Sequence, residues 1–228
     1  MPRAAILDID GTLVDTNYHH ALGWFRAFRK HGVTVPLWRI HRHIGLAGDL
    51  FVEALAGAEI DRSIGAEIRE SEGDIYADLV DEVTLLEGAR EFIFALKDAG
   101  CPVVLASSAK EEELGHYLDM LDVKDVLDGW TSSADVDTAK PEPDVILVAH
   151  DKAGGGEAVV IGDSTWDCKA AARAGLPSIG VLTGGFSAAE LTAEGASQVF
   201  ESVEEMRRRL ADTLLFATNP VALTRTWY

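Results

Sequence analysis

Short apolar runs recur along this chain, each followed by a segment of helical spacing, and that rhythm restricts the fold more than any other feature. Ala4-Ala5-Ile6-Leu7 is apolar throughout and reads as a buried strand. Pro102-Val103-Val104-Leu105-Ala106, Ala158-Val159-Val160-Ile161 and residues 178–182 repeat the pattern, with shorter strands expected near Trp130 and at 198–200. Helical patterns alternate with them at 88–99, 110–121, 143–152, 165–174, 187–194 and 202–215. Alternating strands and helices predict an α/β fold: a doubly wound, Rossmann-like parallel sheet with helices on both faces. Such a sheet binds ligands beyond the carboxyl ends of its strands.

Between residue 15 and about residue 84 the rhythm breaks, and no strand-like alternation appears. Residues 17–31 place Ala21, Leu22, Trp24, Phe25 and Phe28 at helical spacing. Two short helices are expected at 37–44 and 49–57, parted by Gly45-Leu46-Ala47-Gly48, and a longer acidic one at 61–81. A small all-helical block is therefore inserted directly after the first strand. His41-Arg42-His43 is read as surface or hinge, because side chains two apart on a helix do not face each other. Asn219 to Tyr228 is a short tail with an apolar end.

Charge and cysteine usage narrow the partners. A formal net charge of −18 argues against nucleic acid or an anionic membrane as partner. It leaves an anionic small molecule open, since local cations outweigh a distant field. No apolar run reaches the roughly 18 residues of a membrane span. The N-terminus enters a strand at once, without a charged-then-apolar leader. Cys101 and Cys168 fit neither a zinc spacing nor a disulfide framework, so a reducing cytoplasm is the expected compartment.

Polar residues gather where the strands end. Asp8 and Asp10 follow the first strand, and Gly11 lets the chain turn. Ser107 follows the second; Ser108-Ala109-Lys110-Glu111 fits a capping box, so Ser108 is assigned to the helix cap and Ser107 is left with a free hydroxyl. Lys140 stands in Lys140-Pro141-Glu142-Pro143, aimed by the proline after it. Asp163 follows the strand at 158–161, and Ser164 to Asp167 fits a second capping box. Asp8, Asp163 and Asp167 supply hard oxygen ligands of the kind Mg²⁺ prefers. Ser107 and Lys140 offer a hydrogen-bond donor and a fixed positive charge to phosphate oxygens. One carboxylate suits attack on phosphorus and another the management of a proton.

These four motifs together resemble the haloacid dehalogenase superfamily, in its phosphatase branch with a helical cap. The resemblance implies a catalytic core of residues 1–14 and 87–228 and a mobile cap of residues 15–86 that closes over the site. It implies Asp8 as the nucleophile that becomes an aspartyl-phosphate, and Asp10 as general acid, then base. Mg²⁺ would sit on the Asp8 carboxylate, the Asp10 backbone carbonyl and Asp163, with Asp167 nearby. Ser107, with Ser108 beside it, would bind the phosphate, and Lys140 would offset the charge of Asp8 and the phosphoryl group. In the cap, His20 lies where many relatives carry a histidine. Gly45-Leu46-Ala47-Gly48 is similar to the family's specificity loop, with Arg39 and Arg42 just before it.

The expected activity is Mg²⁺-dependent hydrolysis of a small phosphorylated metabolite, similar to phosphoglycolate or a sugar phosphate. Three alternatives stand beside it: a phosphosugar mutase, a phosphonate-cleaving hydrolase and a non-catalytic binding protein on the same fold. Dehalogenases of the superfamily lack an acid at the Asp10 position. Mutases usually carry a glutamate where this chain has Gly162. The phosphonate branch needs a cap lysine, and Lys30 is the one lysine in residues 15–86. The intact set of Asp8, Asp10, Ser107, Lys140 and Asp163 weighs against a non-catalytic role. Nothing in the sequence sets the oligomeric state.

Overall fold

The computed structural model describes residues 2–135 and 140–216, so the tail from Asn219 lies outside the described residues. In chain order the elements are β1 (Ala4–Leu7), α1 (Asn17–Lys30), α2 (Leu37–His41), α3 (Gly48–Ala56), α4 (Ala58–Ala77), α5 (Ala89–Asp98), β2 (Val103–Ala106), α6 (Glu111–Leu121), β3 (Gly129–Thr131), α7 (Asp144–Lys152), β4 (Ala158–Gly162), α8 (Thr165–Arg173), β5 (Ser178–Val181), α9 (Ala188–Ala193), β6 (Ala196–Phe200) and α10 (Val203–Arg208). The chain divides into two compact units. One runs through Val14 and resumes at Leu85; the other is Asp15–Thr84.

The first unit is built on a six-stranded sheet in the order β3-β2-β1-β4-β5-β6, parallel throughout. β1, first in the chain, lies in the middle, with Leu7 opposite both Leu105 and Ile161. Successive strands leave β1 to one side through β2 and β3, and to the other through β4, β5 and β6. The order therefore reverses beside β1, which is where an open parallel sheet presents its ligand crevice. β1, β2 and β4 are buried at every position, as strands covered on both faces must be. On one face Ile6, Val104 and Val160 pack with Val145, Ile146, Ala170 and Ala171 of α7 and α8.

The second unit is helical. α1 packs on α2 and α4, and α3 packs on α4. Trp24 stacks on Phe51 with ring centroids 4.3 Å apart, within a core that includes Phe28, Ile40, Val52 and Ile68. No helix among the described residues is long and apolar enough to cross a membrane.

Several element ends differ from the sequence reading. α4 covers Ala58–Ala77 rather than 61–81, because Gly57, at φ +91°, breaks the chain before it. The last helix stops at Arg208, not 215: a 3₁₀ turn at Leu210–Asp212 follows, and Gln198 takes up Asp212 O and Leu214 N–H. β6 starts at Ala196, two residues before the expected strand. His41 is buried against the Tyr18 ring at 4.6 Å rather than lying on the surface.

Both cysteines are free and buried. Burial pushes the Cys101 thiol up to about 11, and burial together with Asp167 pushes Cys168 up to about 12. The thiolate is the reactive form, so neither is expected to take up iodoacetamide near neutral pH. Mass spectrometry should find both modified only after denaturation.

Candidate active site

The strand ends deliver the polar residues to one edge of the sheet. Asp8 N–H still donates to Ile161 O at 2.9 Å, so the β1–β4 ladder holds the backbone of Asp8 itself. The chain then turns tightly. Gly11, at φ +74°, donates to Val14 O, and the amides of Thr12, Leu13 and Val14 all point at Ile9 O. That turn buries Thr12 and leaves Asp10 half-buried, its backbone bridged to Val14.

Asp8, Asp163 and Asp167 come together, each offering an oxygen within 4.8 Å of the others, and all three are buried. Lys140, only 5% exposed, reaches into the same group. Its ammonium pairs with Asp8 Oδ1 and stands 2.7 Å from Asp167 Oδ1. The Thr12 hydroxyl lies 3.3 Å from Asp8 Oδ2 and 3.1 Å from Asp163 Oδ1, with one proton to share between them. Asp8 thus has one oxygen against an ammonium and the other against a hydroxyl.

Three buried carboxylates face one buried ammonium. Burial pushes the Asp8 carboxyl well above the usual range; Asp167, Asp163 and Asp10 add to the rise, and Lys140 opposes it. Burial would lower the Lys140 ammonium, but Asp167 and Asp8 outweigh it and hold the group above the ordinary lysine value. Lys140 is therefore a fixed cation at any physiological pH.

The donor set and its backing fit a small hard cation. All three side chains present carboxylate oxygen, and their charge exceeds what Lys140 offsets. Two glycines let the carboxylates lie against the backbone. A Cβ at Gly184 would stand 1.7 Å from Asp163 Oδ2, and one at Gly162 would stand 2.4 Å from Asp167 Cγ.

Asp167 has two duties. Its Oδ2 completes the expected capping box, accepting from Ser164 N at 3.0 Å and from Ser164 Oγ at 2.6 Å. Its Oδ1 is the atom beside Lys140.

The second motif is built differently from the sequence reading. Ser108 does not cap α6. That helix begins at Glu111 with Lys110 in the capping position and no side-chain bond there. Instead Ser107 Oγ accepts the Ala109 N–H at 3.0 Å, a local turn that delays the helix. The Ser107 hydroxyl is not wholly free: its oxygen is engaged, and its proton remains to donate. Ser107 is itself held by Thr131, whose hydroxyl accepts from Ser107 N at 3.1 Å and donates to Ser107 O at 2.9 Å.

The sequence reading gave no role to Thr12, Thr131, Gly184 or Glu113. Glu113 places its carboxylate within 4.8 Å of that of Asp10 and accepts from Tyr117 Oη at 2.8 Å. Thr131 becomes visible only through the β2–β3 register, which sets Ala106 opposite it.

In the helical unit the ring of His20 lies 3.3 Å from Glu72 Oε1 and stacks on Tyr76 at 3.7 Å. Arg39 is exposed and Arg42 half-buried. Gly45 takes φ +93°, and Leu46 is half-buried against the helical core. Arg69 fastens the far end of that loop, donating to Gly48 O at 3.0 Å and to Asp49 O at 2.7 Å.

The profile of the haloacid dehalogenase-like hydrolases matches residues 2–175, which contain the whole carboxylate–lysine group. The chain belongs to this family. A solved hydrolase from Pseudomonas syringae superposes with a TM-score of 0.86 at 30% identity, covering 92% of this chain and 98% of that one. Phosphoglycolate phosphatase of Pseudomonas putida is 26% identical over 93% of this chain and 81% of its own length. Validoxylamine A 7'-phosphate phosphatase of Streptomyces hygroscopicus subsp. limoneus is 27% identical over 80% of this chain and 87% of its own. This haloacid dehalogenase-like hydrolase is of the phosphatase branch with a helical cap. An aspartate-based phosphoryl-transfer chemistry follows from the family and from the clustered acids.

Proposed function

We propose that this phosphatase hydrolyses the phosphomonoester of a small metabolite, through an aspartyl-phosphate on Asp8 and with Mg²⁺ as cofactor. The observation that carries the reading is the buried Lys140 bridging Asp8 and Asp167, with Asp163 in the same cluster. An Asp8 oxygen attacks phosphorus while the bond to the leaving oxygen breaks, and Asp10 gives that oxygen its proton. Water then attacks phosphorus, Asp10 takes a proton from it, and the bond to Asp8 breaks, releasing inorganic phosphate. Asp8, Asp163 and the Asp10 carbonyl, with Asp167 nearby, would hold Mg²⁺, which supplies charge neutralisation for the phosphoryl oxygens. Lys140 stays cationic throughout, and Ser107 donates its remaining proton to a phosphate oxygen.

Two observations favour hydrolysis over the related chemistries. A side chain at Gly162, where mutases usually carry glutamate, would run into Asp167. Lys30, the one lysine available for a phosphonate-type reaction, is exposed at the end of α1. Relatives named as phosphatases of phosphoglycolate and of validoxylamine A 7'-phosphate suggest which metabolites to try first.

The test is phosphate release from an aryl phosphate and a panel of phosphorylated metabolites, with Mg²⁺ and with excess chelator. Mg²⁺-dependent release is expected, with one metabolite well ahead of the aryl ester. Full rate in chelator, or no release from any ester, overturns the reading. A phosphoryl group is the same in every substrate, so the cap must select the leaving group. Arg39→Ala and Arg42→Ala are expected to change relative kcat/KM across the panel and to leave the aryl ester comparatively untouched. Leu46→Ala carries a packing loss as well, since that side chain rests on the helical core.

A further inference from the structure

We propose that Thr183 is a positioning residue for the active site, holding the Asp10–Thr12 turn against Asp163. The inference rests on the reading above for what the cluster binds, but its own claim is mechanical.

The 3₁₀ turn Leu182–Gly184 follows β5 directly, and β5 is registered on β4 through Gly162 opposite Gly180. Its height relative to Asp163, the residue after β4, is therefore fixed by the sheet. Two consecutive residues of this turn touch the two halves of the site. Gly184 lies so close to Asp163 that no side chain fits between them. Thr183, half-buried, donates its hydroxyl to Gly11 O, 172 residues away in sequence. Gly11 is the left-handed residue of the first turn, and the next residue, Thr12, puts its hydroxyl between Asp8 and Asp163. The contacts close a ring: Asp163, Gly184, Thr183, Gly11, Thr12 and back to Asp163.

A ring of this kind has a consequence that a single contact lacks. Gly11 is intrinsically the most mobile residue of its turn. Its carbonyl shares a peptide plane with the Thr12 N–H, so its direction bears on where Thr12 points. Pinning that carbonyl from the neighbouring turn couples the first motif to the turn that backs Asp163 in the fourth.

The test compares Thr183→Val, which keeps the shape and removes the donor, with Thr183→Ser, which restores it. Amide hydrogen exchange on the metal-free proteins reads the turn directly. Thr183→Val is expected to raise exchange at residues 11–14 at least about tenfold, with other segments unchanged. Calorimetric titration of Mg²⁺ into the metal-free variant should show affinity lowered about 10–100-fold, as loss of a supporting contact does elsewhere. Thr183→Ser should return both readings to within about twofold of the parent. Unaltered exchange at 11–14 in Thr183→Val, or a serine variant as impaired as the valine one, overturns the proposal. If Thr183→Val does not fold, Thr183→Ala takes its place under the same criteria. Failure of the parent itself to bind Mg²⁺ would strike the reading of the site, whereas the exchange comparison would still decide the role of Thr183.

Discussion

Asp8→Asn is expected to abolish turnover, by about 10⁴-fold or more as nucleophile removal does elsewhere, while making the metal-free protein harder to melt. The two effects have one origin. Asp8 is buried among like charges, and its carboxyl is held well above the usual range, first by burial and then by Asp167. A carboxyl raised in this way contributes stability fully below its unfolded value of about 3.9. That contribution is lost as pH rises through the higher folded value. Asparagine keeps the shape and never ionises: its one amide oxygen can accept from Lys140, and its NH₂ can then donate to the Thr12 hydroxyl oxygen. In chelator, the melting temperature of the variant should therefore exceed that of the parent, and the gap should open as pH is raised from 5 to 8. A gap that closes with rising pH would mean that Asp8 is not a strained carboxylate in the folded protein.

Lys140→Met should act in the opposite direction on stability and the same direction on rate. Lys140 is the cation placed against Asp8 and Asp167, and both partners are buried. Removing it strands their charges, and breaking a buried pair from one side costs about 3–5 kcal/mol. Its raised folded value means the ammonium's own contribution is fully present below its unfolded value of about 10.4, so it is constant between pH 5 and 8. Turnover on the aryl ester should fall about 10²–10³-fold, the scale of losing one preorganised group facing developing charge. Adding Asp8→Asn to Lys140→Met should recover part of the lost melting temperature, because one stranded carboxylate is gone. Thermal melts of the four proteins in chelator check this. An unchanged melt for Lys140→Met would remove the lysine from the electrostatic centre of the site.

Much of this was written locally in the chain. The strands β1, β2 and β4 were readable because strands covered on both faces leave no polar positions to confuse the pattern. The Ser164–Asp167 box was readable because all its partners lie within one helical turn. The Ser108 box failed on equally local evidence. There the Ser107 oxygen takes the Ala109 N–H first, and the helix starts later. Asp167 was only half legible: its capping oxygen follows from sequence, whereas the oxygen beside Lys140 depends on a loop 27 residues earlier (167 − 140). The hydroxyls of Thr131 and Thr183 carried no local signal. Their partners lie 24 and 172 residues away and are chosen by strand register.

The place of β1 in the sheet bears on how the protein is made. β1 is synthesised before the other five strands of its sheet, yet its partner Ala158 follows Ala4 by 154 residues. At about 5–20 residues per second, that strand waits about 8–30 seconds for the neighbour that completes its ladder. During that interval an apolar edge is exposed with its pairing unsatisfied. The helical insertion is complete in the nascent chain well before β4 exists. Its contacts are local in sequence, the kind that form quickly. Synthesis thus makes the whole helical unit available for folding before the sheet can close around β1.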